Sequence, residues 1–179
     1  MKYHNILCHK KCVITKCIWF DPGLLLVASS DKSIRLFDGK NLYLLSRVET
    51  DVRDIELSKN SFGGMDILTV ASGENVYFFH ISKEENSNNS PLTADLLHKH
   101  KMPIHFREEG GASLHPNGSK FIAGGSDLWV RVFDFESGEE LECHKGHHGP
   151  IRCLRYSKDG HTYATGSEDG TIRIWKTEP

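Results

Sequence analysis

Apolar residues in this chain fall in short runs bounded by Gly, Pro, Asp, Asn or Ser, and no apolar stripe at helical spacing lasts beyond two turns. The last third shows the pattern most cleanly. Ile151, Cys153 and Leu154 make one run, Tyr163 to Gly166 a second, and Thr171 to Trp175 a third. Ser157-Lys158-Asp159-Gly160 and Glu168-Asp169-Gly170 separate them, with residues that supply the fixed or positive φ of tight turns. The third run alternates, Ile172 and Ile174 on one face and Arg173 and Trp175 on the other, which is strand periodicity. The pattern predicts short antiparallel strands joined by hairpins.

The same frame returns along the chain. Ser33 to Asp38 and Trp129 to Asp134 repeat the third run, and Asp21-Pro22-Gly23 and His115-Pro116-Asn117-Gly118 repeat the first turn. Spacing fixes the register. His147 precedes Asp169 by 22 residues and Trp175 follows it by 6, and the triples His9, Asp31, Phe37 and His105, Asp127, Phe133 keep both intervals. Asp31 to Gly73 and Asp127 to Asp169 are each 42 residues, with Gly73 standing where the Asp is expected and Asp51 at the His position. A period near 40–45 residues with four short strands per unit is that of a WD-type propeller blade. The fold class expected is therefore all-β, a WD-repeat β-propeller with four blades present, either a partial propeller or half of a larger ring.

One domain, 1–179, divides into an orphan strand d (1–8), a blade (9–49), a blade carrying an inserted polar loop at 82–91 (50–100), a blade (101–145) and a last blade lacking strand d (146–179). Strands d are expected at Leu42 to Val48, Leu92 to His98 and Glu139 to Cys143. Tyr3 to Leu7 is strand-like with no blade of its own. It can belong to a longer propeller of which this chain is a piece, fill the last blade of a second copy, or close a four-bladed ring on itself. The first is the favoured expectation, and self-association through open blade ends is the second.

Bulk composition narrows the class. With 26% charged and 38% hydrophobic residues over 179 positions the chain is globular, and a net charge of −2 argues against a strongly electrostatic partner. The longest apolar run, Leu24 to Ala28, is too short to span a bilayer. His9, Lys10, Lys11 and Lys16 interrupt the N-terminal stretch, so no secretory leader is expected. Five cysteines without a C-x-x-C spacing fit a reduced compartment, and cytoplasmic and nuclear residence is expected.

Two arrangements invite a chemical reading. His147, Thr165, Asp169 and Trp175 resemble a hydrolytic constellation, but a catalytic site occurs once, whereas this one recurs as His9, Asp31, Phe37 and His105, Asp127, Phe133. Repetition marks a network that ties strands a to c into a blade. The recurring Arg four residues after each turn Asp is expected to pack its stem on a neighbour while its head finds a carboxylate or carbonyl. Cys8, His9, Cys12 and Cys17, and Cys143, His144, His147 and His148, cluster without the paired spacing of structural zinc. No metal, cofactor or enzymatic activity is expected. The basic run His98-Lys99-His100-Lys101 reads first as a solvated connection and second as an RNA or acidic-partner contact. The turn before each Asp and the start of strand a share a rim, which nominates Ser30, Ser126, Arg152 and Glu168 as partner contacts.

Phe121 to Asp127, Ala112 to Pro116, Ser137 to Glu142, Lys145 to His147, Gly149 to Arg152 and Gly166 to Trp175 resemble the family of serine/threonine kinase receptor-associated proteins, also called Unr-interacting WD-repeat proteins. The likeness covers the later part of that family's seven-bladed propeller. It implies a non-enzymatic scaffold within a multi-subunit assembly, in a survival-of-motor-neuron complex setting of spliceosomal ribonucleoprotein assembly or mRNA processing, with RNA contacted indirectly at most and no membrane. The alternatives it leaves are a WD-repeat subunit of translation initiation factor three and a receptor-kinase signalling adaptor.

Overall fold

The computed structural model describes residues 12–84, 90–106 and 110–177, and these form four antiparallel sheets. The first holds β1 (Ile14–Asp21), β2 (Leu24–Ser29), β3 (Ser33–Phe37) and β4 (Leu42–Arg47) in chain order. The second holds β5 (Val52–Ser58), β6 (Asp66–Lys83) and β7 (Leu92–Phe106). The third holds β8 (Gly111–Leu114), β9 (Lys120–Gly124), β10 (Trp129–Asp134) and β11 (Glu140–Lys145). The fourth holds β12 (Ile151–Tyr156), β13 (Thr162–Ser167) and β14 (Ile172–Lys176). Each sheet is a blade, and the first strands β1, β5, β8 and β12 pack successively against one another, so they form the inner edge of the arc. The orphan segment Tyr3 to Leu7 and His9 lie outside the described residues, as does part of the loop at 82–91.

Strands buried on both faces read as continuous apolar runs, and here alternate residues feed different cores. Phe121 and Ala123 of β9 enter one cluster with Phe78, Ile104 and Phe106 of the preceding sheet and with Phe135, which follows β10; Ile122 enters the next with Ile151, Leu154 and Tyr163. Leu26, Ile34 and Leu36 meet Ile55, Leu68, Val70 and Phe79 between the first two blades. Aromatic edges and faces lock the middle joint, where Phe78 sits 4.9 Å from both Phe121 and Phe135.

The second blade departs from expectation twice. A straight 18-residue strand would span about 60 Å, yet Leu68, Val70, Tyr77 and Phe79 of β6 share one core. The chain folds back at Gly73, whose φ is +61°, and the first half of β6 pairs with β5 while the second pairs with β7. Strand β7 does not end at His98 or at the boundary drawn at residue 100. Met102, Ile104 and Phe106 continue its alternation, all buried, and carry the strand on to Phe106.

Among the described residues the two ends of the arc have no neighbouring blade. On the last blade Ile172 and Ile174 are 78% and 67% exposed, so the apolar face of β14 is the outward one, while Trp175 on the other face packs into the core. On the first blade Trp19 and Leu44 are 66% and 52% exposed. Isolated large apolar side chains are ordinary on a surface, but these lie on whole sheet faces. The isolated chain is therefore expected to self-associate. Light scattering should give a mass above that of one chain, and Trp19→Ser combined with Ile172→Thr and Ile174→Thr should lower it. A wild-type monomer with cooperative unfolding would show that these faces need no cover.

Candidate functional site

In the last blade the turn acid is held from several sides. His147 Nδ1 lies 3.0 Å from Asp169 Oδ2, and His147 Nε2 lies 2.7 Å from Thr165 Oγ1, which also accepts the Trp175 indole N–H at 2.9 Å. The His148 N–H donates to the same carboxylate at 2.8 Å, and the Thr171 hydroxyl at 2.6 Å. These donors hold the Asp169 carboxyl well below the usual carboxylate range. With Thr165 and His147 buried, the arrangement ties the d–a loop to strands b and c.

The other blades neutralise the turn acid differently. Arg35 pairs with Asp31 at 2.5 Å, and the Ser29 hydroxyl donates to Asp31 at 2.6 Å, with Ser33 joining them. Arg131 pairs with Asp127 and reaches Glu140 at 3.1 Å. The expected triple His105, Asp127, Phe133 does not assemble. Among the described residues His105 Nδ1 is buried without a partner, since Asp127 is already satisfied by Arg131, and Phe133 stacks on Phe121 at 5.1 Å. Phe37 is half-buried opposite Leu25 and Leu42. The recurring arginine thus turns its head to the acid of its own turn in two blades; in the last blade the histidine takes that place, and no ion pair joins Arg173 to Asp169.

Gly73 has a definite reason. A Cβ there would lie 2.5 Å from Thr50 Oγ1. Thr50 Oγ1 is 2.7 Å from Ser72 Oγ, and the Ser72 hydroxyl donates to the Thr50 carbonyl at 2.8 Å. Two hydroxyls therefore do the tying that a His–Asp pair does in the last blade.

The nominated rim residues are partly engaged with each other. Arg152 and Glu168 form an ion pair, Ser30 Oγ accepts the Val13 N–H at 2.9 Å, and exposed Ser126 lies 3.4 Å from the His105 carbonyl. The basic run is also spent locally: His100 Nε2 is 2.8 Å from the Phe135 carbonyl, His98 is 3.5 Å from Glu136, and Lys99 and Lys101 pair with Glu49 and Glu74. No group of three His, Cys, Asp or Glu among the described residues is placed to hold a metal ion, and Cys17, Cys143 and Cys153 are free thiols.

Sequence spacing missed a polar cluster on the inner edge that joins all four blades. On the inner edge, Arg155 of the last blade forms ion pairs with Asp54 of the second at 2.6 Å, and Lys16 of the first approaches the same carboxylate at 3.9 Å. Glu56 accepts the Ser113 hydroxyl at 2.9 Å and the Leu114 N–H at 3.1 Å. Gly111 leaves the space that the Asp54 carboxylate fills, because a Cβ there would collide with it. Asp54 and Arg155 are 101 residues apart, so no local pattern could pair them. Burial pushes the Glu56 carboxyl up to about 7, with Arg155 only partly offsetting it.

The comparisons with known proteins fit this geometry. The family model for the WD domain, G-beta repeat, matches residues 2–38 and 138–176. The β-propeller domain of Cps50 (Swd1) from Myceliophteria thermophila superposes with a TM-score of 0.75 at 14% identity, over 94% of this chain and 55% of that one. The WD40 propeller of Doa1 does so with 0.63 at 19% identity, over 88% of this chain and 48% of that one. Among the described residues the chain folds as four blades of a WD-repeat β-propeller. Among curated proteins it is similar to the serine-threonine kinase receptor-associated protein of Homo sapiens, 34% identical over 92% of this chain and 43% of that protein. The Dictyostelium discoideum protein of the same name is 66% identical over 65 residues, 36% of this chain and 22% of its own length. The mRNA export factor GLE2 of Chaetomium thermophilum is 28% identical over 86% of this chain and 41% of its own length. The chain thus spans less than half the length of these curated relatives.

Two consequences are measurable. Asp169→Ala leaves the buried His147 imidazole without its acceptor and should lower the melting temperature by roughly 3–10 °C; an unchanged melt would show that the network carries no stability. For Glu56 the folded chain holds more protons than the unfolded one between about pH 4.5 and 7, so its contribution to stability falls as pH rises through that window and is level above it. Glu56→Gln should remove a loss of about 1–3 kcal/mol between pH 5 and pH 8 in urea unfolding. Equal slopes for the two proteins would contradict burial as the controlling factor.

Proposed function

We infer that the chain is part of a non-enzymatic scaffold that gathers protein partners for ribonucleoprotein assembly or mRNA processing, in the setting of a survival-of-motor-neuron complex, with RNA contacted indirectly. The observation that carries this reading is the fate of the repeated polar residues. His147, Thr165, Asp169, Asp31 and Asp127 all bond to neighbouring groups of their own blade, which leaves the rim side chains Ser30, Ser126, Arg152 and Glu168 as the polar surface offered to others. The likeness to an mRNA export factor supports the RNA-linked setting. Such a role places the protein in cytoplasm and nucleus.

A second reading, a receptor-kinase signalling adaptor, draws on the name shared by the human and Dictyostelium relatives. Affinity capture from native extract separates the two. Recovery of ribonucleoprotein-assembly proteins that survives ribonuclease treatment is expected, and a combined Ser126→Lys and Glu168→Lys variant should reduce it. Recovery of receptor kinases alone, or of translation initiation subunits alone, would overturn the assignment.

A further inference from the structure

At the a–b turn end of the arc, the second, third and fourth blades enclose a cavity of about 440 Å³. Glu56 of β5 lies in its wall, with Leu114 at the end of β8, Pro116 in the turn that follows, and Tyr156 at the end of β12. Lys59 and Lys158 come from the turns after β5 and β12. The Glu56 side chain is 17% exposed, so its carboxylate can be reached from the cavity. The two lysines do not neutralise it. The Lys59 ammonium turns to the first blade, where it pairs with Asp21 at 2.7 Å and lies 4.8 Å from the centre of the Phe20 ring. Lys158 is exposed in its turn.

Glu56 differs from the other inward acids in what holds it. Asp31, Asp54 and Asp127 are each in direct contact with an arginine. At hydrogen-bonding distance Glu56 accepts the Ser113 hydroxyl on one oxygen and the Leu114 N–H on the other, both neutral donors. Arg155 Nε stands 3.6 Å away, because Nη1 and Nη2 of that guanidinium are committed to Asp54 at 2.6 and 2.8 Å. A carboxylate accepts about four hydrogen bonds, so roughly half of its capacity is open. Burial with too little positive charge beside it is also what pushes the Glu56 carboxyl up to about 7. A cation brought from outside would supply the missing charge.

We propose that this cavity receives an arginine side chain of a partner protein, with Glu56 as its counter-ion. The rest of the wall suits that group. Leu114, Pro116 and the Tyr156 ring offer apolar surface to the methylene stem, and a planar guanidinium lies well on such faces while its fork meets both oxygens of a carboxylate. A nucleic-acid backbone is the poorer fit, since it would bring phosphate charge against Glu56. The proposal rests on the scaffold reading and deepens it by assigning one contact class to one place.

The test uses the full chain and a short fluorescent Gly/Ser peptide with one central arginine, followed by anisotropy. The peptide should bind, and its counterpart with citrulline, which keeps the shape and loses the charge, should bind about tenfold more weakly or not at all. Glu56 must be ionised to pair with a guanidinium, so affinity is full above about pH 7 and falls as pH drops through that value. Binding at pH 6 should be about tenfold weaker than at pH 8. Glu56→Gln should stay folded and lose both the binding and its pH dependence. Lys158→Glu adds an acid beside the cavity at an exposed position and should strengthen binding about threefold or more. Lys32→Glu, the same change at the opposite end of the arc, should leave it intact. Equal binding of the arginine and citrulline peptides would overturn the proposal, as would undiminished binding by folded Glu56→Gln. An unchanged affinity in Lys158→Glu would overturn it even if Glu56→Gln failed to fold, and so would preference for spermidine or an RNA oligonucleotide over the arginine peptide. If Glu56→Gln still captures assembly proteins from extract, the scaffold reading stands without the cavity.

Discussion

A sheet with two apolar faces needs a neighbour on each side, and every other feature of this chain follows from that requirement. Phe78, Phe121 and Ile122 are fully buried because each inner blade is covered twice. The same strand chemistry at the ends of the arc leaves Ile172, Ile174 and Trp19 in water. The apolar residues of β14 are therefore exposed for the reason that makes those of β9 buried. Their sequences meet the same demand, and only one of them has its neighbour.

Once the faces are committed to packing, polar residues are confined to turns, strand ends and the inner edge, where each must find a partner. The turn acid shows how loosely the chemistry is specified. It is held by histidine and threonine in the last blade, by arginine and serine in the first, and by arginine alone with a second carboxylate in the third. In the second blade two hydroxyls replace it altogether. What is preserved is the tie between the b–c turn and its surroundings, and the residue types are interchangeable ways to make it. A polar group that repeats is thus a device of the fold, and recognition must come from those that do not repeat.

How much of this was legible in the sequence depends on range. Strand positions, hairpin turns and the His147 network follow from spacings of a few to 22 residues, and the structure keeps each close to where the spacing puts it. Strand β7 was legible too, since Met102, Ile104 and Phe106 alternate, but the repeat register drew a boundary through it. His105 misled for the same reason: it holds the right interval to Asp127, but Arg131, four residues away, has the shorter reach. The inner-edge cluster was beyond reading. Asp54, Glu56 and Arg155 look like ordinary strand charges until the curvature of the arc brings the second and last blades together.

The second blade shows that losing a motif is not the same as losing a function. Gly73 is where the repeat is most eroded, yet its turn is fully tied, so stability does not require the missing acid. Nor does stability require Lys32 or Arg53, which are hydrated and nearly unpaired, because exposed charges of that kind contribute little to folding. In Asp31, Asp127 and Asp169 any change in recognition would also loosen a blade. At this one joint the acid is dispensable, and its neighbours can vary without disturbing the packing that holds the arc together.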